Sequence, residues 1–345
     1  RTQHLLRLSR IRWPVQGLGW GVVPLKYSGA RTHRLSGDGG TNWQNFKRGS
    51  RIREGIRAPD GYRIVHRDAS QIEARMTAWL ALCFKLLDAF AEGRDVYSEF
   101  ATVVYRRRVT REDTLERFVG KTSVLGLGYG CGPPGFRQML YVGNGGISLQ
   151  VSEDEAKRIV YLYRNQYPEI PELWTIGEHL IAQMCSMARR RYTSPGLTFG
   201  MCDRLDRLPV ECGFDSLWLP NGLCVSYPGL HYTVHEGAVS AVYFDPYSSP
   251  RRLYGPKVIE NMSQGLARII ITDVAVRVYQ TTGWHPFLST HDSLDYCVPE
   301  SLAADLDTHL EYEFGIVPAW AAGLPLASEG GWGVTLRDAE KGVNR

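Results

Sequence analysis

The chain has 345 residues, 43% hydrophobic and 22% charged, with a formal net charge of +4. This is ordinary globular composition with enough apolar material for more than one lobe, and its mild basic excess permits nucleic-acid binding without requiring it. Seven cysteines without a C-x-x-C pair exclude a disulfide framework and a zinc ribbon. The absence of a signal peptide and of any run of about 18 apolar residues leads us to expect a soluble, reducing compartment and no membrane partner.

Residues 1–62 are rich in Gly, Arg and polar side chains, with an apolar patch around Leu18 to Leu25, and read as short strands and loops. In "IVHRDASQIEARM", Ile64 and Val65 close a short buried strand, and from Ile72 the apolar residues recur at helical spacing through Met76, Trp79, Leu80 and Cys83. Asp68 therefore lies at a strand-to-helix corner. Ser70 and Glu73 have the S-x-x-E spacing of a capping box, and acidic groups suit a helix start. A corner carboxylate can equally hold a metal ion. This stretch alone leaves both readings open.

Helical patterns run from Gln71 to about Arg191, broken at Gly132-Pro133-Pro134 and at Asn144-Gly145-Gly146. Within them Arg117, Lys121, Leu125 and Tyr129 form one helical stripe, with Thr110 or Asp113 as a cap. Such a stripe is either a solvated basic face or a grip for a triphosphate, in which Tyr129 offers a stacking plate. Ser152 to Tyr167 reads as a single helix, with Ser152 as N-cap and Pro168 beyond its end.

From about Arg204 to Leu253, short aromatic and β-branched runs predict strands and hairpins. Cys212, Cys224, His231 and His235 lie there, at a spacing that fits no common zinc pattern. A long amphipathic helix is expected from Val258 to about Tyr279. "FLST" and "LDYCV" then flank a tight turn at His291-Asp292. Asp is an ordinary turn residue. A hairpin tip beside a strand end is also an efficient way to bring two carboxylates together, and two such groups suit a pair of Mg²⁺ ions in phosphoryl transfer. Strands, a helical block and strands again suggest a helical lobe inserted into an α+β lobe.

Taken together, these stretches resemble family A DNA polymerases, the group that includes bacterial DNA polymerase I and many phage replicases. "DASQIEAR" resembles the first palm motif, D-Y-S-Q-I-E-L-R. "RFVGKTSVLGLGYG" resembles the fingers motif R-x-x-x-K-x-x-x-[FY]-G-x-x-Y-G except at Leu125, and "HDS" stands where the family has H-D-E. "RTHRLSGDGGTNWQNF" and "ENMSQGLAR" resemble flanking motifs, and "DVYSEFATVVY" is similar to phage-type members. The resemblance runs from about Tyr27 to Trp332.

It implies an α+β fold: a right-hand palm with an antiparallel sheet and an inserted, mostly helical fingers subdomain. Residues 1–75 would be a thumb remnant and the first part of the palm, 76–200 the fingers, and 201–345 the second part of the palm. The thumb and exonuclease domain would be absent, truncated or supplied separately. Asp68, Asp292 and the Ala69 carbonyl would ligate two Mg²⁺ ions, with Mn²⁺ as a substitute, and Asp68, Asp292 and Lys121 would be catalytic. Arg117, Lys121, Leu125, Tyr129, Glu73, Gln71 and Tyr97 would contact the incoming dNTP. Of these, Glu73 would exclude a 2′-hydroxyl and Tyr129 would guard the template base. Arg34, Asn45, Gln264 and His291 would contact primer-template DNA. The implied activity is template-directed DNA synthesis, replicative and of phage type, in the cytoplasm of a bacterium or phage-infected host.

The chain departs from the family pattern at Ser293 (an acid in the family), Leu125 (Phe or Tyr), His33 (Gly) and Tyr97 (His in bacterial members). A single-subunit RNA polymerase shares the metal design, but Glu73 argues against it. A non-catalytic DNA-binding remnant is opposed by the intact Asp68, Asp292, Arg117 and Lys121.

Overall fold

The computed structural model describes residues 23–38, 42–46, 50–143, 146–190, 207–235, 237–245 and 248–342. Leu18 to Val22 of the apolar patch, the Asn144-Gly145 break, Arg191, the onset of the β region at Arg204 and the His235 side chain lie outside the described residues.

The chain opens with short strands β1 (Leu25–Lys26) and β2 (Ser36–Gly37), helix α1 (Arg51–Glu54) and strand β3 (Tyr62–Ala69). A helical block follows: α2 (Ile72–Ala81), α3 (Phe84–Ala91), α4 (Val96–Tyr105), α5 (Thr114–Leu127), α6 (Pro133–Val142), α7 (Glu153–Gln166) and α8 (Glu169–Arg190). Next come strands β4 (Glu211–Gly213), β5 (Ser216–Trp218), β6 (Cys224–Ser226), β7 (His231–His235), β8 (Ala238–Asp245) and β9 (Ser248–Leu253). The long helix α9 (Gly255–Thr282), strands β10 (Leu288–Thr290) and β11 (Ser293–Pro299), helix α10 (Ala303–Phe314), strand β12 (Ser328–Gly333) and helix α11 (Leu336–Lys341) complete the order.

Packing divides the chain into two compact units: 1–70 with 267–316 and 326–345, and 71–266 with 317–325. The second, mostly helical unit is one long stretch, 71–266, set in the sequence between parts of the first, with 317–325 added. The strands after residue 206 belong with the helical unit because they pack on the first half of α9. Leu219 and Val225 close over Gly265, and Asn261 Nδ2 donates to the Tyr227 hydroxyl at 3.0 Å.

The first unit is built on an antiparallel sheet of order β10-β11-β3-β12. Its central strand β3 is covered on both faces, so it reads as a nearly continuous buried run rather than a clean alternation. Ile64 joins Trp43, Phe46, Leu288, Leu336 and Ala339 in one apolar cluster. On the other face Arg67, fully buried, reaches Asp307 Oδ1 of α10 at 2.7 Å. Arg277 Nε of α9 pairs with Glu313 Oε2 of α10 at 2.6 Å. A buried charge persists only with such partners.

The second unit is mostly helical. Its core includes an aromatic group in which Phe100, Tyr163 and Tyr167 meet at centroid distances of 5.2–6.0 Å. The expected helix from Ser152 is α7, and Ser152 caps it by accepting from Glu155 N at 3.1 Å. Two small antiparallel sheets, β4-β5-β6 and β7-β8-β9, complete the unit.

Candidate functional site

In the first unit, the strand-to-helix corner and the hairpin tip come together. Ser293 stands opposite Asp68 in the β3–β11 register, and Ala69 N donates to the Asp292 carbonyl oxygen at 3.0 Å. The link between β10 and β11 is the two residues His291 and Asp292, and His291 takes the left-handed conformation, φ 54°, that so short a connection demands. Asp68 and Asp292 therefore rise from neighbouring strands at adjacent positions. Their donor set is two carboxylates with the Ala69 carbonyl as the expected third oxygen. Among the described residues no cluster of three His, Cys, Asp or Glu is placed to hold a metal. A small set of hard oxygens fits Mg²⁺, which keeps waters and takes substrate phosphates rather than a full protein cage.

Two cations, Arg34 and Arg268, lie near Asp292. Arg34 Nη2 donates to Asp292 Oδ1 at 3.2 Å. Arg268, one turn after Gln264 on α9, is held below its ordinary basicity by burial, while the nearby Tyr27 and Asp292 act in the opposite direction. Arg268 is a residue the sequence reading missed. Gln44 is another: its buried amide donates to the Ser289 carbonyl at 2.7 Å and ties the N-terminal segment to β10. Neighbouring Asn45, the residue singled out from sequence, is exposed, as is His291.

The corner also corrects one expectation. Helix α2 does not take Ser70 as its N-cap, as the Ser70–Glu73 capping box would require. Ser70 N is engaged by the Ala327 carbonyl at 2.9 Å, so Ser70 still follows the β3–β12 pairing. The N-cap of α2 is Gln71, in the left-handed conformation at φ 51° and without a side-chain cap bond. The Gln71 Oε1 faces Arg75 Nη2 at 3.5 Å. At the start of α5, Asp113 is the N-cap by position, but its carboxylate accepts from Thr110 N at 2.8 Å and not from a helix amide.

In the second unit the basic stripe is present on α5 through Leu125, whereas Tyr129, its expected fourth member, lies beyond the end of the helix at Leu127. Arg117, Lys121 and Leu125 line one groove of about 600 Å³, together with Arg111, Phe118 and Met139. Leu125 is 37% exposed, so it faces this groove rather than the core. Helix α5 lies very close to α4 because of Gly120, where a Cβ would overlap the Tyr97 carbonyl oxygen. That approach sets the Tyr97 ring, 4% exposed, beneath Arg117 at 5.3 Å and Lys121 at 5.9 Å. Asp95, just before α4, accepts from Arg117 Nε at 2.7 Å and Nη2 at 3.2 Å. Burial alone would raise the Asp95 carboxyl. Hydrogen bonds from Arg117 and Ser98, with the charges of Arg117 and Arg111, overcome this and hold it below its ordinary value.

Elsewhere in this unit, the Tyr129 hydroxyl accepts from Thr77 Oγ1 at 3.0 Å and lies 3.4 Å from the Glu73 carbonyl oxygen, to which it donates. Burial pushes its phenol well up. Tyr129 and Glu73 are thus neighbours. Gln264 Nε2 is 3.4 Å from Glu260 Oε1 on the same helix. The imagined zinc group is not assembled: Cys212 and Cys224 lie on β4 and β6, the two outer strands of one small sheet, and His231 lies on another sheet.

The family model for DNA polymerase family A matches residues 25–194. A DNA polymerase of Bacillus phage SP02 is 27% identical over 272 residues, 76% of this chain and 39% of the relative. DNA polymerase I of Chloroflexus aurantiacus is 32% identical over 146 residues, 41% of this chain and 14% of the relative. This chain therefore spans well under half the length of these relatives. Among solved structures, the POL domain of Pol1 from M. smegmatis, in complex with DNA primer-template and dNTP, superposes with a TM-score of 0.67 at 21% identity. The match covers 98% of this chain and 51% of that one, and it shows a shared fold. Through residues 25–194 the chain is similar to DNA polymerase family A.

Proposed function

We propose that the chain is the nucleotidyl-transfer portion of a DNA-directed DNA polymerase of phage type, extending a primer on a DNA template with dNTPs. The first unit serves as palm and the second as fingers. The observation that carries this reading is the placement of Asp68 and Asp292 on neighbouring strands, in a chain whose residues 25–194 match the DNA polymerase family A model. The wide coverage by the phage relative supports the phage assignment.

Asp68 and Asp292, with the Ala69 carbonyl, would hold two Mg²⁺ ions. Bound there, the ions would lower the barrier by stabilising charge on the attacking and leaving oxygens. The chain's own work is positioning. Arg117 and Lys121 take the triphosphate, with Leu125 beside the sugar. Lys121 supplies a proton to the departing pyrophosphate as the primer 3′-oxygen bonds to the α-phosphate. Glu73, backed by Tyr129, crowds a 2′-hydroxyl. Arg34, Gln264, Asn45 and His291 contact the primer-template.

Primer extension with Mg²⁺ and dNTPs tests the reading. Asp68→Ala and Asp292→Ala each abolish extension while primer-template binding persists. Extension that survives either substitution refutes it.

A further inference from the structure

Two of the cations that line the groove on the second unit, Arg111 and Arg117, are held by one carboxylate, Asp95, whose negative charge does not itself favour phosphate. Asp95 sits among cations: Arg117 on both of its oxygens, and Arg111 Nε at 3.7 Å from Oδ2. It is not a stray surface acid. Its side chain is 14% exposed, and Oδ2 also accepts from the Ser98 hydroxyl at 2.8 Å. Two other acids near the start of α5, Asp113 and Glu116, both pair with Arg107. Asp95 thus faces both Arg111 and Arg117, while Lys121 lies over the Tyr97 ring. The groove keeps an excess of positive charge.

The geometry of the Asp95–Arg117 pair is specific. Asp95 takes the side edge of the guanidinium, Nε and Nη2. A guanidinium has a second edge, Nη1 and the other Nη2 hydrogen, suited to a second bidentate acceptor. With its side edge held by Asp95 and its face against Tyr97, Arg117 loses the rotamer freedom that a lone arginine would give up on binding. Gly120 fixes the separation of α4 and α5 on which both contacts depend.

We propose that Asp95 is a positioning residue, which orients Arg117 so that its outer guanidinium edge meets the phosphates of the incoming nucleotide. This rests on the nucleotide reading of the groove given above. A competing role has the opposite sign. If Asp95 were an internal counter-anion that phosphate must displace, removing its charge would tighten binding.

The test uses the full chain and inorganic tripolyphosphate without divalent metal, read by calorimetry, for the parent, Asp95→Asn, Arg117→Ala and the double variant. Loss of a supporting partner behind a binding group is expected to weaken binding about tenfold in Asp95→Asn. The double variant should bind no more weakly than Arg117→Ala alone, because Asp95 acts only through Arg117. Tighter or unchanged binding in Asp95→Asn overturns the proposal, as do additive losses in the double variant, which would mark a general structural role. Ser98→Ala loosens Asp95 without touching Arg117, so it should show a smaller loss of the same sign, and it serves if Asp95→Asn does not fold. Unchanged binding in Arg117→Ala would overturn the nucleotide reading of the groove itself, and the role of Asp95 with it.

Discussion

Ser293 stands directly across the β3–β11 pair from Asp68, and its hydroxyl donates to the Thr290 carbonyl at 3.1 Å. The side chain is 2% exposed. It therefore closes the hairpin and offers no ligand in place of the acid found there in related motifs. Ser293→Ala should lose about 1 kcal/mol of stability, the net value of one hydrogen bond, in a urea melt. Extension and its Mg²⁺ dependence should stay at parent levels. A changed Mg²⁺ requirement would show that the hydroxyl reaches the metals.

Gly120 is the contact point of α4 and α5, where any Cβ would meet the Tyr97 carbonyl oxygen. Backbone cannot step aside as a flexible side-chain end can. Gly120→Ala should cost roughly 1–3 kcal/mol from overpacking, even though alanine is the better helix former. It should also weaken tripolyphosphate binding, because Arg117 and Lys121 would be lifted from the Tyr97 ring. A chemical melt and a binding titration on the same sample measure both effects. A more stable variant would mean that the helices separate freely.

The Asp68 corner, the Asp292 hairpin and the basic stripe were legible because each depends on local periodicity and turn chemistry. The mixture of a helical block with antiparallel strands was legible from element order. What sequence could not give was long-range. Ser70 and Glu73 have capping-box spacing, yet β12, more than 250 residues onward, claims the Ser70 amide. The strands after residue 206 have the composition of the first unit's sheet, but packing against Gly265 assigns them to the other unit. Asp95 drew no notice because an acid before a helix is usually a cap. Gly120 did leave a signal: a glycine inside an otherwise strong helical stripe costs about 1 kcal/mol and implies a close contact.

The Asp95 ion pair has a pH signature with a definite sign. Its carboxyl is held below the ordinary 3.8 in the folded chain. A depressed carboxyl stabilises the fold above its unfolded value, and that contribution is lost as pH falls through the folded value. The stability difference between the parent and Asp95→Asn should therefore be constant from neutral pH down to about 4 and shrink only in more acid solution. Chemical melts across that range measure it. A difference that shrinks above about pH 5 would mean that Arg117 and Arg111 do not hold the carboxylate.

Leu125 follows Lys121 by one helical turn and lines the same groove, 37% exposed. Core packing would have hidden it, as it hides Val124 and Leu127 on the same helix at 4% and 1% exposure. Beside the sugar of a bound nucleotide, leucine offers neither a hydroxyl nor a flat ring. A 2′,3′-dideoxynucleotide lacks the 3′-hydroxyl, so a chain with leucine here should discriminate strongly against it. A tyrosine hydroxyl at this position would supply the missing hydrogen-bonding group. Leu125→Tyr should then improve dideoxynucleotide use relative to deoxynucleotide use by about 1–2 kcal/mol of transition-state discrimination, the value of one hydrogen bond in a partly desolvated site. Normal extension should change little, because the substitution lies on a surface with room for the ring. Chain-termination ladders from parent and variant, run at the same nucleotide ratios, decide the matter. Identical ladders would remove Leu125 from contact with the sugar.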